Sequence, residues 1–265
     1  MQDFNAEDSK TDVAYRLLRR EILTAQLPPN MALRPTALNQ AYGLSWTPVR
    51  EALARLEAER LVVYQRNRGF SVAPVSSQEL EDLRRARQAI ELPLLKESIE
   101  NGDAEWEAQL VAAHHRLLRC PLPVDDTSEA NLAQWERLHS AFHRGLLQAA
   151  VSQWLLRFQA QISEQLQRHQ RVLAIAPTLQ GKAADRAQAR LALRQAMGAE
   201  QHTQLLQAAL DRDVERALTL MTEHSASTSD VFEHSPSAPE KKPRKKTTPA
   251  TSSPEPNAQS HEPLP

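Results

Sequence analysis

Only one cysteine, Cys120, occurs in the 265 residues of this chain, so no disulfide can form within it. A lone thiol suits a reducing compartment. No apolar run approaches the length of a membrane span, and no secretory leader opens the sequence, which together predict a cytoplasmic protein with no membrane partner. Aromatic residues are 5% of the chain and glycines number six, while Leu, Ala, Gln, Arg and Glu dominate; that balance favours helix. The formal net charge is -1, so no global field directs the molecule to nucleic acid. What is present is 41% hydrophobic residues, enough for a core, in a length that accommodates two domains.

The charge is unevenly spread. Residues 16–75 hold nine arginines against four glutamates, a net +5, as befits a small domain that touches phosphates. Within it, Gly43-Leu44-Ser45-Trp46-Thr47-Pro48-Val49-Arg50-Glu51-Ala52-Leu53 sets a helix start behind a tight turn. Ser45 or Thr47 can serve as N-cap, and Pro48 fits a first turn where its missing N–H costs nothing. Val49, Leu53 and Leu56 then give one apolar face. Trp46, Thr47 and Arg50 lie at the N-terminal end, the end that a recognition helix presents to a major groove. Taken alone, the stretch also reads as an ordinary capped amphipathic helix.

Its neighbours separate the two readings. Val13, Leu17, Leu18, Ile22 and Leu23 mark a preceding amphipathic helix, ended by Pro28-Pro29-Asn30, where Asn30 tolerates a left-handed turn. A short helix follows over 35–42, stopped by Gly43. After the third helix, to about Glu59, two β-type runs, Leu61–Gln65 and Phe70–Val72, flank Arg66-Asn67-Arg68-Gly69 and predict a hairpin with a basic tip. Three helices and a basic hairpin make a winged helix-turn-helix.

These residues resemble the DNA-binding domain of the GntR superfamily of bacterial regulators. The resemblance rests on Leu27-x-Pro29-Asn30-x-x-Leu33, Leu38, the Ser45-x-Thr47-Pro48-Val49-Arg50-Glu51-Ala52-Leu53 signature, Leu61-Val62 and Arg68-Gly69. It implies double-stranded operator DNA as partner, and a DNA-facing set of Arg34, Thr36, Ser45, Trp46, Thr47, Arg50, Arg66, Arg68 and Gly69. The chain departs from the pattern at Ala25 and Asn30, where relatives usually carry Gly, and at Trp46 and Thr36, where relatives often carry arginines that touch DNA. No relative's operator sequence is therefore carried over.

Pro74-Val75 reads as a linker, and Ser76-x-x-Glu79 as a capping box. Leu80, Leu83, Ile90 and Leu94 line the helix so begun, with a kink allowed at Pro93; Asn101-Gly102-Asp103 ends it and caps the next. Cys120–Ser128 reads as a loop. Helices are expected at about 129–150, 152–175, 187–211 and 213–224, with Ser152 and Asp213 as N-caps, so that 76–224 forms a bundle of about six helices. The fold class expected is mostly α: a winged helix-turn-helix over 11–75, an all-helical domain over 76–226 and a Pro/Ser-rich tail over 227–265. The tail carries the basic cluster Lys241–Lys246 and is too poor in apolar residues to offset its ordering entropy, which predicts disorder.

In the second domain, His139 and His143 stand at i and i+4 on one helix face, with His202 and His224 in later helices. Imidazoles on facing helices can converge on a divalent ion; solvated or core histidines fit the same spacing. His114 and His115 cannot share a helix face, and His169 is expected on a surface. Phe142-His143-x-x-Leu146, His202-x-x-Leu205-Leu206-x-Ala208 and Asp213-x-x-x-Ala217-x-x-x-Met221-x-x-His224 are similar to the FCD ligand-binding domain, one branch of the same superfamily, and Arg87-x-x-Ile90-Glu91 is similar to its opening helix. The resemblance implies a metal held by His139, His143, His202 and His224, a small carboxylate effector, of the dicarboxylate kind among others, beside it, and Arg87 as the effector's second anchor; Arg168, on the long helix after Ser152, is a further candidate outside the resemblance. Where relatives carry Asp, this chain has His139, and an all-imidazole set favours zinc or nickel over manganese.

The reading that follows is a homodimeric, effector-controlled transcriptional regulator, a repressor, and not an enzyme. A metal-dependent hydrolase and a ligand-independent architectural DNA-binding protein are the alternatives. Against the hydrolase, no Glu or Asp stands in the metal motif as a general base.

Overall fold

The computed structural model describes residues 9–180 and 186–233, with side chains placed through 226. The polar segment before Ser9 and the tail beyond Glu233, basic cluster included, lie outside the described residues.

Ser9 caps α1 (Lys10–Leu23), its Oγ accepting from the Asp12 amide at 3.1 Å. α1 buries Ala14, Leu18 and Ile22 at i, i+4, i+8 spacing. α2 (Pro35–Tyr42) starts on Pro35 and stops at Gly43, whose φ of 67° is the left-handed C-terminal stop that glycine permits. α3 (Trp46–Ala58) buries Val49, Ala52, Leu53 and Leu56 against α1. Ser45 holds the N-cap position of α3, yet its hydroxyl makes no capping bond, and Thr47 lies inside the helix, so the expected side-chain cap is absent there.

The wing is an antiparallel hairpin of β1 (Val62–Gln65) and β2 (Gly69–Val72), in register from Val62 opposite Val72 to Gln65 opposite Gly69. Arg66, Asn67 and Arg68 form its loop, with Asn67 and Gly69 left-handed at φ 68° and 75°. The segment after α1 adds to this sheet, which the sequence reading missed. Ala32 bridges Ser71, and the Asn30 and Leu33 amides donate to the Val72 and Phe70 carbonyls at 3.0 and 2.9 Å. The edge of β2 is thereby covered.

Ala25 and Asn30, the positions where relatives carry glycine, are both left-handed here, at φ 58° and 67°. Asn tolerates that region and Ala does not. Ala25→Gly is therefore expected to raise stability by about 1 kcal/mol, read as a higher urea midpoint at unchanged slope. A lower midpoint would remove the strain argument.

α4 (Ser77–Asn101) opens on one half of the expected capping box, Ser76 Oγ accepting from the Glu79 amide while the Glu79 carboxylate turns to His169, and continues through Pro93. Asp103 caps α5 (Ala104–Leu118), and Ser128 caps α6 (Glu129–Leu147). Ser152 caps α7 (Gln153–Gln170), whose last turn passes into a π-helical turn at Arg171–Ile175 and then α8 (Ala176–Gln180). α9 (Ala187–Met197), α10 (Ala199–Leu210) and α11 (Val214–Glu233) complete the bundle, with Asp213 Oδ1 accepting from the Arg216 amide.

Five expectations are corrected. The single helix expected over 187–211 is two, broken at Gly198, whose extended ψ of 161° interrupts the helical path. The helix expected over 152–175 ends as α-helix at Gln170, and that over 129–150 ends at Leu147. The described residues from 77 on form eight α-helices rather than six. The last helix continues to Glu233, so the backbone from 227 to 233 is helical where a disordered tail was expected. The buried apolar residues form two separate cores, one around Leu18, Leu53 and Leu56 and one around Leu94, Leu110, Phe142 and Leu205.

Candidate DNA interface and metal centre

At the N-terminus of α3, Trp46, Thr47 and Arg50 are exposed beside Ser45, and Trp46 keeps 42% of its surface accessible. An apolar ring left in water at the tip of a recognition helix is available to a thymine methyl or a sugar. Arg34 and Thr36 are exposed at the start of α2, and Arg66 and Arg68 at the wing tip, with Gly69 half-buried behind them. The DNA-facing candidates thus lie on the outer surface of one small domain, whose core is formed by Leu18, Leu53, Leu56 and their neighbours.

The second site lies inside the bundle. α6 contributes His139 and His143, α10 His202 and α11 His224; one ligand nitrogen from each falls within 4.8 Å of all the others. His139 Nε2 and His143 Nε2 are 3.1 Å apart. Two ligands held at about 2.1 Å from one ion, at angles of about 90–110°, stand about 3.0–3.4 Å apart, so this spacing fits shared coordination. Outer partners orient two of the rings. His202 Nδ1 donates to the Gly198 carbonyl at 2.8 Å and His224 Nδ1 to Gln201 Oε1 at 2.9 Å, which turns the Nε2 lone pairs toward the cluster. His202 Nε2 is buried and accepts no hydrogen bond. The helix break at Gly198 supplies the carbonyl that fixes this tautomer.

Burial pushes all four imidazoles below the usual histidine range, His202 to about 4. Neighbouring rings lower them further, and the nearby Arg87 guanidinium does so for His139, His143 and His224. Four neutral imidazoles with converging lone pairs are the donor set that a borderline-soft divalent cation requires.

A cavity of about 280 Å³ adjoins the cluster, lined by His139, His143, Arg87, Trp135, Glu136, Gln159 and Arg168 among others. Two arginine expectations change in detail. Arg87 is not a lone cation: its Nε lies 2.7 Å from Oε1 of the buried Glu91, which also accepts from Gln159 Nε2 at 2.8 Å. Arg168 lines the cavity, but its Nη2 donates to the Ala73 carbonyl in the linker, so that end is committed to the protein rather than to an effector. His169, expected on a surface, is fully buried between the Gln165 carbonyl and Glu79. His114 is also buried, against Thr203 Oγ1 and the Phe142 ring.

Sequence reasoning passed over Glu136. It stands three residues before His139 on the same helix and lines the cavity; the i, i+3 spacing was the available signal. Burial raises its carboxyl to about 7, against the attraction of Arg171, which bonds both Glu136 and Glu129. That commitment to Arg171 leaves Glu136 poorly placed as a free base.

A winged helix-turn-helix joined to a separate helical domain is the architecture of a DNA-binding transcriptional regulator. Residues 10–72 match the family described as bacterial regulatory proteins, gntR family, and residues 82–227 match the FCD domain. The chain belongs to the GntR family of transcriptional regulators, with an FCD domain as its second part. It is 33% identical over 230 residues to the HTH-type transcriptional regulator BphR of Paraburkholderia xenovorans, covering 84% of this chain and 85% of that one. It is also 33% identical over 215 residues to the HTH-type transcriptional repressor GlaR of Escherichia coli, covering 79% and 90%. Among solved structures, E. coli McbR/YncC shares the fold, with a TM-score of 0.63 at 22% identity over 85% of this chain and 97% of that one. Among the described residues no helix is long and apolar enough to cross a membrane.

Proposed function

We propose that this regulator is a cytoplasmic repressor that binds operator DNA as a two-fold dimer. Its helical domain holds one divalent ion, zinc or nickel, on His139, His143, His202 and His224, and a small carboxylate beside that ion controls DNA binding. The observation that carries this reading is the convergence of four neutral imidazoles, two of which, His139 and His143, line a cavity together with Arg87. Besides Arg168, which is committed to the Ala73 carbonyl, Arg87, Arg137 and Arg144 line the cavity against Glu136 and Glu164, an excess of positive charge that suits an anion, and its volume suits a small one. That the relative GlaR is a transcriptional repressor supports the sign of the response.

On the DNA side, Arg50 reaches a guanine or phosphate from the recognition helix, Arg66 and Arg68 contact phosphates from the wing, and Trp46 takes the place of a base-reading arginine. Arg34, Thr36, Ser45, Thr47 and Gly69 complete the contact surface. Arg50→Ala is expected to weaken binding to a duplex selected by the wild type by about 1–3 kcal/mol. Arg68→Ala should weaken specific and non-specific DNA alike and reduce the salt dependence by about one phosphate contact. Gel-shift titration across salt concentrations reads both, and unchanged affinity in both variants would remove the assigned DNA interface.

A further inference from the structure

α7 borders the cavity, through Gln159, Ser163 and Gln167 among others, and also grips the DNA-binding domain; Glu164 and Arg168 take part in both, and Gln165 only in the grip. Glu164 pairs with Arg19 of α1, which also holds Glu59 at the end of the recognition helix at 2.9 Å. Gln165 Nε2 donates to the Glu59 carbonyl at 2.7 Å. Arg168, fully buried, donates to the Ala73 carbonyl just after the wing. His169 sits 3.1 Å from Glu79 at the start of α4. The end of α1, Leu23 and Thr24, itself forms part of the cavity wall.

A carbonyl at a helix C-terminus has no partner within the helix, and Glu59 follows the last turn of α3. Gln165 therefore fixes the trailing end of the element whose leading end meets DNA. Arg168 does the same for the segment that leads out of the wing. Anything that shifts α7 relative to the bundle shifts α3 and the wing together, because both are bonded to one rigid helix. The π-helical turn at Arg171–Ile175 lies directly after these residues and borders the cavity through Ile175, so the segment next to the clamp departs from regular helix beside the ligand space.

We propose that α7 transmits cavity occupancy to the DNA-binding domain, with Gln165 and Arg168 as positioning residues that set the angle of the recognition helix and wing without touching DNA. The proposal rests on the ligand-controlled reading above. It reassigns Arg168 from effector anchor to mechanical link.

The test uses the full chain, with zinc and succinate as probes, and DNA selected by the wild type from a random pool. Wild-type DNA affinity is expected to change about 5-fold or more between the zinc-only and zinc-plus-succinate states. In Gln165→Ala, which lies outside the cavity wall, that ratio should fall to nearly one while zinc occupancy and succinate affinity stay at wild-type values; in Arg168→Met, whose side chain borders the cavity, the ratio should fall with zinc occupancy unchanged. Arg168→Lys should restore part of the ratio, because an ammonium can still donate to the Ala73 carbonyl. If Arg168→Met fails to fold, Gln165→Ala, which removes one half-buried amide, decides alone. A wild-type ratio in Gln165→Ala with zinc and succinate bound would overturn the proposal and leave ligand control standing. A wild type whose DNA affinity ignores both probes would overturn the ligand-controlled reading, and this proposal with it.

Discussion

Replacing His143 with alanine is expected to empty the bundle of its ion while leaving the helical spectrum intact. His143 is buried, contacts His139 through Nε2 and stacks on His224 at a centroid distance of 5.0 Å, so its loss removes one ligand and loosens two others. An ion bound only by the folded bundle stabilises it by mass action, by about 4 kcal/mol at a thousand-fold excess over Kd. The zinc-dependent rise in Tm should therefore be present in the wild type and largely absent in His143→Ala. His115→Ala, on the exposed face of α5, should behave as wild type. Elemental analysis of untagged protein is the direct readout. Retention of no ion by the wild type after reconstitution with zinc or nickel, or of one ion by all four single alanine variants, would dismiss the site.

The metal-free protein is expected to lose stability as pH falls from about 6.5 toward 4. The sign follows from the direction of the shifts. All four cluster histidines sit below their unfolded value, His202 at about 4. Between those values the unfolded chain binds protons that the folded chain refuses, so acid favours unfolding. His202 alone accounts for about 3 kcal/mol over its interval, at about 1.4 kcal/mol per unit. Glu136 runs the other way. Its folded value, raised to about 7, contributes stability that is present at low pH and lost as pH rises, and this offsets roughly one histidine. The remaining histidines decide the net direction. Urea midpoints of the apoprotein should fall on acidification, more steeply in Glu136→Gln, where the opposing group is gone. Equal midpoints at neutral and mildly acid pH in both proteins would contradict the burial of neutral imidazoles.

Much of the architecture was legible because it is locally encoded. Ser76 with Glu79, Asp103, Ser152 and Asp213 cap the helices they precede, and Asn67-x-Gly69 makes the wing turn, since each of these signals acts within a few residues. The i, i+4 pair His139 and His143 was visible for the same reason, and family resemblance supplied the two distant partners that spacing could not. What escaped depends on contacts across the chain. His169 looked like a surface residue until α4 brought Glu79 onto it, and Arg168 looked like a ligand anchor until the linker placed the Ala73 carbonyl within reach. The break at Gly198 was hidden because apolar periodicity runs on either side of it, and only the backbone geometry reveals where the helix path resets.

Trp135 stacks on His139 at a centroid distance of 4.5 Å and an interplanar angle of 18°, with 5% of its surface exposed. Of the other three indoles, Trp46 and Trp154 face solvent and Trp106 is tied by Nε1 to the Gly145 carbonyl. Trp135 alone among them is in face-to-face contact with one of the clustered imidazoles. The emission of this one fluorophore is therefore answerable to the charge carried by His139, whether that charge comes from a proton or from a cation on its ring nitrogen. The chain carries its own optical gauge of the cluster, readable without a label, in a background that Trp46→Phe and Trp154→Phe would darken from the outside.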